Sequence, residues 1–177
     1  MTMERIAAAV HRVESILKRR PEAALHADAP AVARWEGGAR VISSHPNGAS
    51  VATDLPSELG GMGNEVTPGW LWRAALGSCL ATRIVMAAAV EGIHLTSVEV
   101  QATSRSDLRG FFGIKAGSGA APSAGPTDVQ LHVRICAPEV PSERLHALVA
   151  HSQACSPVQI AASEALPIEV RVEVLGR

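Results

Sequence analysis

Along residues 67–92, TPGWLWRAALGSCLATRIVMAAAVEG, apolar side chains dominate every side of a 3.6-residue period, the pattern of a helix enclosed by a core. Thr67 is a good N-cap residue, Pro68 suits a first turn that needs no backbone N–H, and Gly92 can close the far end in a left-handed conformation. Such a helix would run roughly 36 Å, the width of a small domain. The same length fits a membrane span. Arg73 and Arg83 stand inside it, however, and a charge near the bilayer centre costs about 3 kcal/mol. The pattern predicts a central core helix.

The segments around it alternate differently. Residues 2–19 place Ile6, Val10, Val13 and Leu17 at helical spacing, with Lys18, Arg19 and Arg20 at the end that favours cations and Pro21 as a stop. Residues 21–30 read as a linker. Residues 1–30 are therefore a helical extension, packed on the domain or on a partner subunit, and the domain proper spans 31–177. Short strand patterns at 31–35, 39–44 and 49–53, divided by Gly37-Gly38 and His45-Pro46-Asn47-Gly48, predict an antiparallel meander. Beyond the central helix, strands are expected at 95–103 and 127–136, helices at 141–154 and 158–165, and a closing strand at 168–175. Between the two middle strands lies a compact DLRGFFG piece followed by a Gly/Ala/Ser/Pro tract expected to be a mobile loop. Phe111 and Phe112, the only phenylalanines, either cap the core or line a pocket. The order of elements is α+β, without the alternation of a parallel sheet.

Composition narrows the partners. A chain of 177 residues with 47% hydrophobic content can bury one real core. Its net charge of −1 and lack of a basic run offer no surface to nucleic acid or to an anionic membrane. The first twenty residues are too charged for a secretory signal, so a cytoplasmic location is expected. Seven histidines in no ligand spacing predict no metal site. The glycines of LPSELGGMGNEV lack a phosphate-binding pattern and read as a loop or the wall of a pocket.

Cys79, Cys136 and Cys155 are odd in number and widely spaced, which fits neither a disulfide framework nor a zinc site. A thiol reacts as its thiolate, and Cys79 lies too far along its helix to be activated by the helix start, so a cation is needed. Arg83 stands one turn later on the same face. An inert core thiol fits the same facts, and the residues alone leave both readings open.

Four pieces together resemble one family. WEGGAR at 35–40, ELGGMGNEVTP at 58–68, ALGSC at 75–79, and CSPV at 155–158 followed by LPIEV are similar to the OsmC/Ohr proteins, the osmotically inducible and organic hydroperoxide resistance proteins, over roughly residues 31–175. The resemblance implies antiparallel sheets around a long central helix, an intertwined homodimer and active sites at the subunit interface. It implies reduction of organic hydroperoxides at the expense of an external thiol, with no bound cofactor. Cys79 would be the peroxidatic cysteine, Arg40 the residue beside its thiolate, and Cys155 the resolving cysteine of a disulfide. Two positions depart from the family pattern. Gly69 replaces the glutamate that holds the arginine, a place that Glu65 or Glu36 could take. Cys155-Ser156-Pro157-Val158 replaces Cys-Pro-Val, so alignment on the proline puts Ser156 at the resolving position and turns Cys155 by about 100° in a helix. The alternative is a binding protein on the same scaffold, its peroxidase activity weak or lost, holding a small apolar ligand at the dimer interface.

Overall fold

In the computed structural model, which describes residues 2–115, 117, 119–164 and 166–176, the central helix α2 (Pro68–Val90) starts and stops where its end residues dictate. The Thr67 side chain accepts a hydrogen bond from the Trp70 amide at 3.1 Å. At the other end Gly92 adopts φ +66°. Its amide donates to Ala89 O at 3.3 Å, and that of Ile93 donates to Ala88 O at 2.8 Å. This paired closure satisfies two orphan carbonyls, and it carries the buried Ile93 into the core.

The other elements arrange themselves on this helix. The chain runs α1 (Met3–Arg19), β1 (Val32–Gly37), β2 (Arg40–Ser44), β3 (Ser50–Thr53), α2, β4 (Ser97–Arg105), α3 (Leu108–Phe111), β5 (Thr127–Cys136), α4 (Ser142–Ala154) and α5 (Pro157–Ser163). β1, β2 and β3 form an antiparallel meander, and β4 pairs antiparallel with β5. The expected α+β architecture with antiparallel sheets is present. Of the expected pieces, Ala165 at the end of the last helix, and Ala116 and Ser118 in the Gly/Ala/Ser/Pro tract, lie outside the described residues.

Leu80, Ile84 and Ala88, four apart on one stripe of α2, meet Ile93, Ala137 and Leu148 in the core. Val98 and Val100 of β4 and Leu131, Val133 and Ile135 of β5 pack against them. These are the inward positions of a register that pairs Val98 with Ile135 and Val100 with Val133. α2 and β4 approach so closely at Gly77 that a Cβ there would stand 3.2 Å from Val100 O. A helix long and apolar enough to cross a membrane is thus built into a protein core, through Leu76, Gly77, Leu80, Ile84, Ala88 and Ala89. The N-terminal helix α1 lies on α2 and lends Met3 to the core, so it packs on its own domain.

Two parts of the chain stay outside this core. No side chain of β1, β2 or β3 belongs to the core cluster, and Trp35 is 74% exposed. The meander joins α2 through residues 54–67, where the Asp54 amide donates to Val66 O at 3.0 Å. The closing strand expected at 168–175 is not formed: residues 166–176 join no ladder, and Ile168, Val170, Val172 and Val174 are 78% to 88% exposed. The alternation is strand-competent, but a strand needs an edge to pair with, and none pairs with it among the described residues.

Candidate active site

Cys79 sits near the middle of α2, between the buried Leu76 and Leu80, with its own side chain half-buried. The segment that meets it follows α4. Pro157 cannot continue α4 but suits the first turn of α5, so the chain turns at Cys155-Ser156. That turn buries Ser156 completely and aims its hydroxyl at α2. Ser156 Oγ donates to Cys79 Sγ at 3.2 Å. Ser156 is also the N-cap of α5, yet its side chain makes no capping hydrogen bond. A serine cap stabilises a helix by about 1 kcal/mol, and here the hydroxyl is turned to sulfur instead.

Cys155 lies one residue earlier, at the C-terminal end of α4, and its side chain is exposed. The residue that the structure brings to Cys79 is the one that proline alignment marks. Two residues that share a peptide bond in a turn point their side chains differently, and only Ser156 faces inward.

A second group forms around Arg40. The β1–β2 hairpin turns at Gly37 and Gly38, both with positive φ, and sets Arg40 at the start of β2. Arg40 Nη1 donates to Glu65 Oε1 at 2.6 Å, and Arg40 Nε lies 3.5 Å from Glu36 Oε2. The Glu65 hydrogen bond raises the basicity of the guanidinium above its ordinary value, against some desolvation, with Glu36 adding to the effect. Both candidate carboxylates therefore reach Arg40, and Glu65 has the shorter contact. Gly69, where the family pattern has its glutamate, has room for a side chain: a Cβ there would make only ordinary contacts, with Arg73 Nη1 at 3.9 Å and Thr67 Oγ1 at 4.0 Å.

The loop that presents Glu65 is held from below by Asp54, only 2% exposed. Its carboxylate accepts from the Leu55 amide at 2.7 Å and the Met62 amide at 2.8 Å. Gly61 passes so near Leu55 that a Cβ would fall 1.8 Å from Leu55 O. Neither Asp54 nor this contact was marked by the sequence, since an aspartate before a glycine-rich loop reads as a surface residue. The same loop walls a cavity of about 400 Å³ at the start of α2, lined among others by Leu59, Gly69, Trp72, Arg73 and Phe111. Phe111 thus lines a pocket, with Phe112 edge-on to it at 5.1 Å between ring centroids.

Among the described residues no hydrogen bond links Arg40 or Glu65 to Cys79 or Ser156. Arg83, the other cation expected near the thiol, keeps a buried Nε without a hydrogen-bond partner among the described residues. No cluster of three or more His, Cys, Asp or Glu suited to a metal occurs among them.

Known proteins share this arrangement of elements. An organic hydroperoxide resistance protein OsmC from Legionella pneumophila, described as a predicted redox protein, is 25% identical, with 77% of this chain and 90% of that one covered at a TM-score of 0.55. An organic hydroperoxide resistance protein from Elizabethkingia anophelis is 21% identical, covering 80% and 91% at a TM-score of 0.57. An OsmC-like protein from Mycoplasma pneumoniae shares the fold at 11% identity and a TM-score of 0.65, covering 80% and 91%. No curated protein matches significantly in sequence. The family model of OsmC-like proteins matches residues 61–171, which include α2, Cys79 and the Cys155-Ser156-Pro157 turn, and the chain belongs to the OsmC-like protein family.

Proposed function

We propose that this protein reduces organic hydroperoxides with Cys79 as nucleophile, in defence against oxidative stress, and draws its electrons from an external thiol without a bound cofactor. The observation that carries the reading is the half-buried Cys79 sulfur held by the buried Ser156 hydroxyl in the middle of an OsmC-like core helix. The Cys79 thiolate attacks one oxygen of the hydroperoxide, the O–O bond breaks, and the other oxygen leaves with a proton as an alcohol. The sulfur is oxidised to sulfenic acid. Arg40, oriented by Glu65, is the cation that stabilises the thiolate and the departing oxygen.

Arg40 reaches Cys79 in an intertwined homodimer with the active sites at the subunit interface. Two features support that assembly. The apolar alternation at 168–174 is uncovered in the single chain, and the meander carrying Arg40 shares no side chain with the core. A strand with an apolar face and no partner is completed by the edge of another sheet.

Stopped-flow mixing with cumene hydroperoxide tests the reading. The wild type should consume it far faster than free cysteine does, and Cys79→Ser should not. A wild-type rate equal to that of free cysteine would sink it.

The cavity beside Gly69 supports a second reading, in which the protein binds a small apolar ligand and its peroxidase activity is weak. A micromolar affinity for such a ligand, combined with slow peroxide turnover, would favour it.

A further inference from the structure

We propose that Ser156 is the hydrogen-bond donor to the reacting sulfur and that this chain works with one cysteine, its oxidised Cys79 being cleared by an external low-molecular-weight thiol and not by Cys155. The inference rests on the peroxidase reading above and adds to it how the catalytic cycle closes.

Three observations carry it. A serine hydroxyl has one proton to donate, and that of Ser156, fully buried and forgoing the cap of α5, donates it to Cys79 Sγ. The contact fixes the Cys79 sulfur against the turn between α4 and α5. Second, the place against Cys79 is filled by an oxygen, which cannot form a disulfide. For the exposed Cys155 thiol to take that place, the turn between α4 and α5 would have to rotate and carry Ser156 out of the interior. Third, Cys79 is only partly buried within the single chain.

The cycle balances without a second protein thiol. A hydroperoxide takes the Cys79 thiolate to sulfenic acid and leaves as alcohol. The thiolate of the small thiol then attacks the Cys79 sulfur, an S–S bond forms, the S–O bond breaks, and the oxygen leaves with two protons as water. A second small thiol, as its thiolate, attacks the small-molecule sulfur of that mixed disulfide. It releases Cys79 as thiolate and a small-molecule disulfide as product.

Three measurements on the full chain test this. Diamide oxidation followed by non-reducing peptide mapping should find no Cys79–Cys155 disulfide in the wild type, whereas in Ser156→Cys the new thiol should join Cys79. A wild-type Cys79–Cys155 disulfide overturns the proposal. In a Cys136→Ser, Cys155→Ser background, the rate of Cys79 alkylation by iodoacetamide at one fixed pH should fall by about threefold or more in Ser156→Ala. An unchanged rate in a variant with native circular dichroism overturns the donor role. With 2-mercaptoethanol as reductant and cumene hydroperoxide as substrate, Cys155→Ser should keep its rate within about twofold, and a loss of about tenfold or more overturns the one-cysteine cycle. The two levels separate cleanly. If the wild type never turns over, the peroxidase reading and the cycle fall together, while the alkylation rate still decides the Ser156 contact. If the wild type turns over and Cys155→Ser does not, only the cycle proposed here falls.

Discussion

Glu65 holds Arg40 at 2.6 Å across twenty-five residues of chain, binding the loop before the central helix to the start of β2. Glu36 touches the same guanidinium from the hairpin at 3.5 Å. In the peroxidase reading, Glu65→Gln should lower kcat/KM for cumene hydroperoxide by about tenfold to a hundredfold, because a misplaced arginine no longer meets the reacting atoms. Glu36→Gln, at the longer contact, should do less. Steady-state kinetics of the two variants measure the difference, and equal effects would show that Glu65 is not the principal support.

Asp54 anchors that loop through two backbone amides while itself almost fully buried. Asp54→Ala leaves the Leu55 and Met62 amides without their acceptor and should cost about 2 kcal/mol or more in urea unfolding. Gly61→Ala should also destabilise the protein, since the Leu55 carbonyl occupies the space its methyl group would need.

Gly69 is the opposite case. Its Cβ position is open and lies in the first turn of α2. Gly69→Glu should raise stability by about 1 kcal/mol, from better helix propensity and a carboxylate near the positive end of the helix. A fall in the urea midpoint would show a clash that the structure does not contain.

Asp107 caps α3 on the rim of the cavity, accepting from the Arg109 amide at 2.9 Å and pairing with the Arg109 side chain. The Arg109 side chain first, and then its amide, hold the Asp107 carboxyl below its ordinary value of 3.8. A depressed carboxylate contributes stability above its unfolded pKa and loses it as pH falls through the folded one. The Arg109 amide resonance should therefore titrate with a midpoint below 3.8, and in Asp107→Asn that transition should vanish.

The proposed dimer gives a test of its own. Val170→Asp with Val172→Asp places charges on the uncovered stripe at the C-terminus. Size-exclusion chromatography with light scattering should then find a monomer in place of a dimer. An unchanged mass would mean that this segment is not what joins the subunits.

Much of the fold was legible in the sequence because it is written in short range. Thr67, Pro68 and Gly92 set the ends of α2 through their own backbone chemistry, and the glycines of the hairpin set its turn. The strands expected at 95–103 and 127–136 correspond to β4 and β5. Cys79 as nucleophile, Arg40 beside it, and Glu65 or Glu36 as the support of that arginine are implied by the resemblance to the OsmC/Ohr proteins and not by any local pattern.

What the sequence left open lies across longer distances. Whether Glu65 or Glu36 supports Arg40 depends on how a loop folds back over Asp54, a carboxylate whose burial no local pattern announces. Whether Cys155 or Ser156 faces Cys79 depends on the turn between two helices, where adjacent residues point in different directions. The strand pattern at 168–175 is real, but pairing requires an edge, and an edge belongs to the assembly and not to the segment. Periodicity and end residues act within a few positions of themselves, so they place elements. Contacts between residues such as Cys79 and Ser156 arise only after those elements pack, and packing chose the serine.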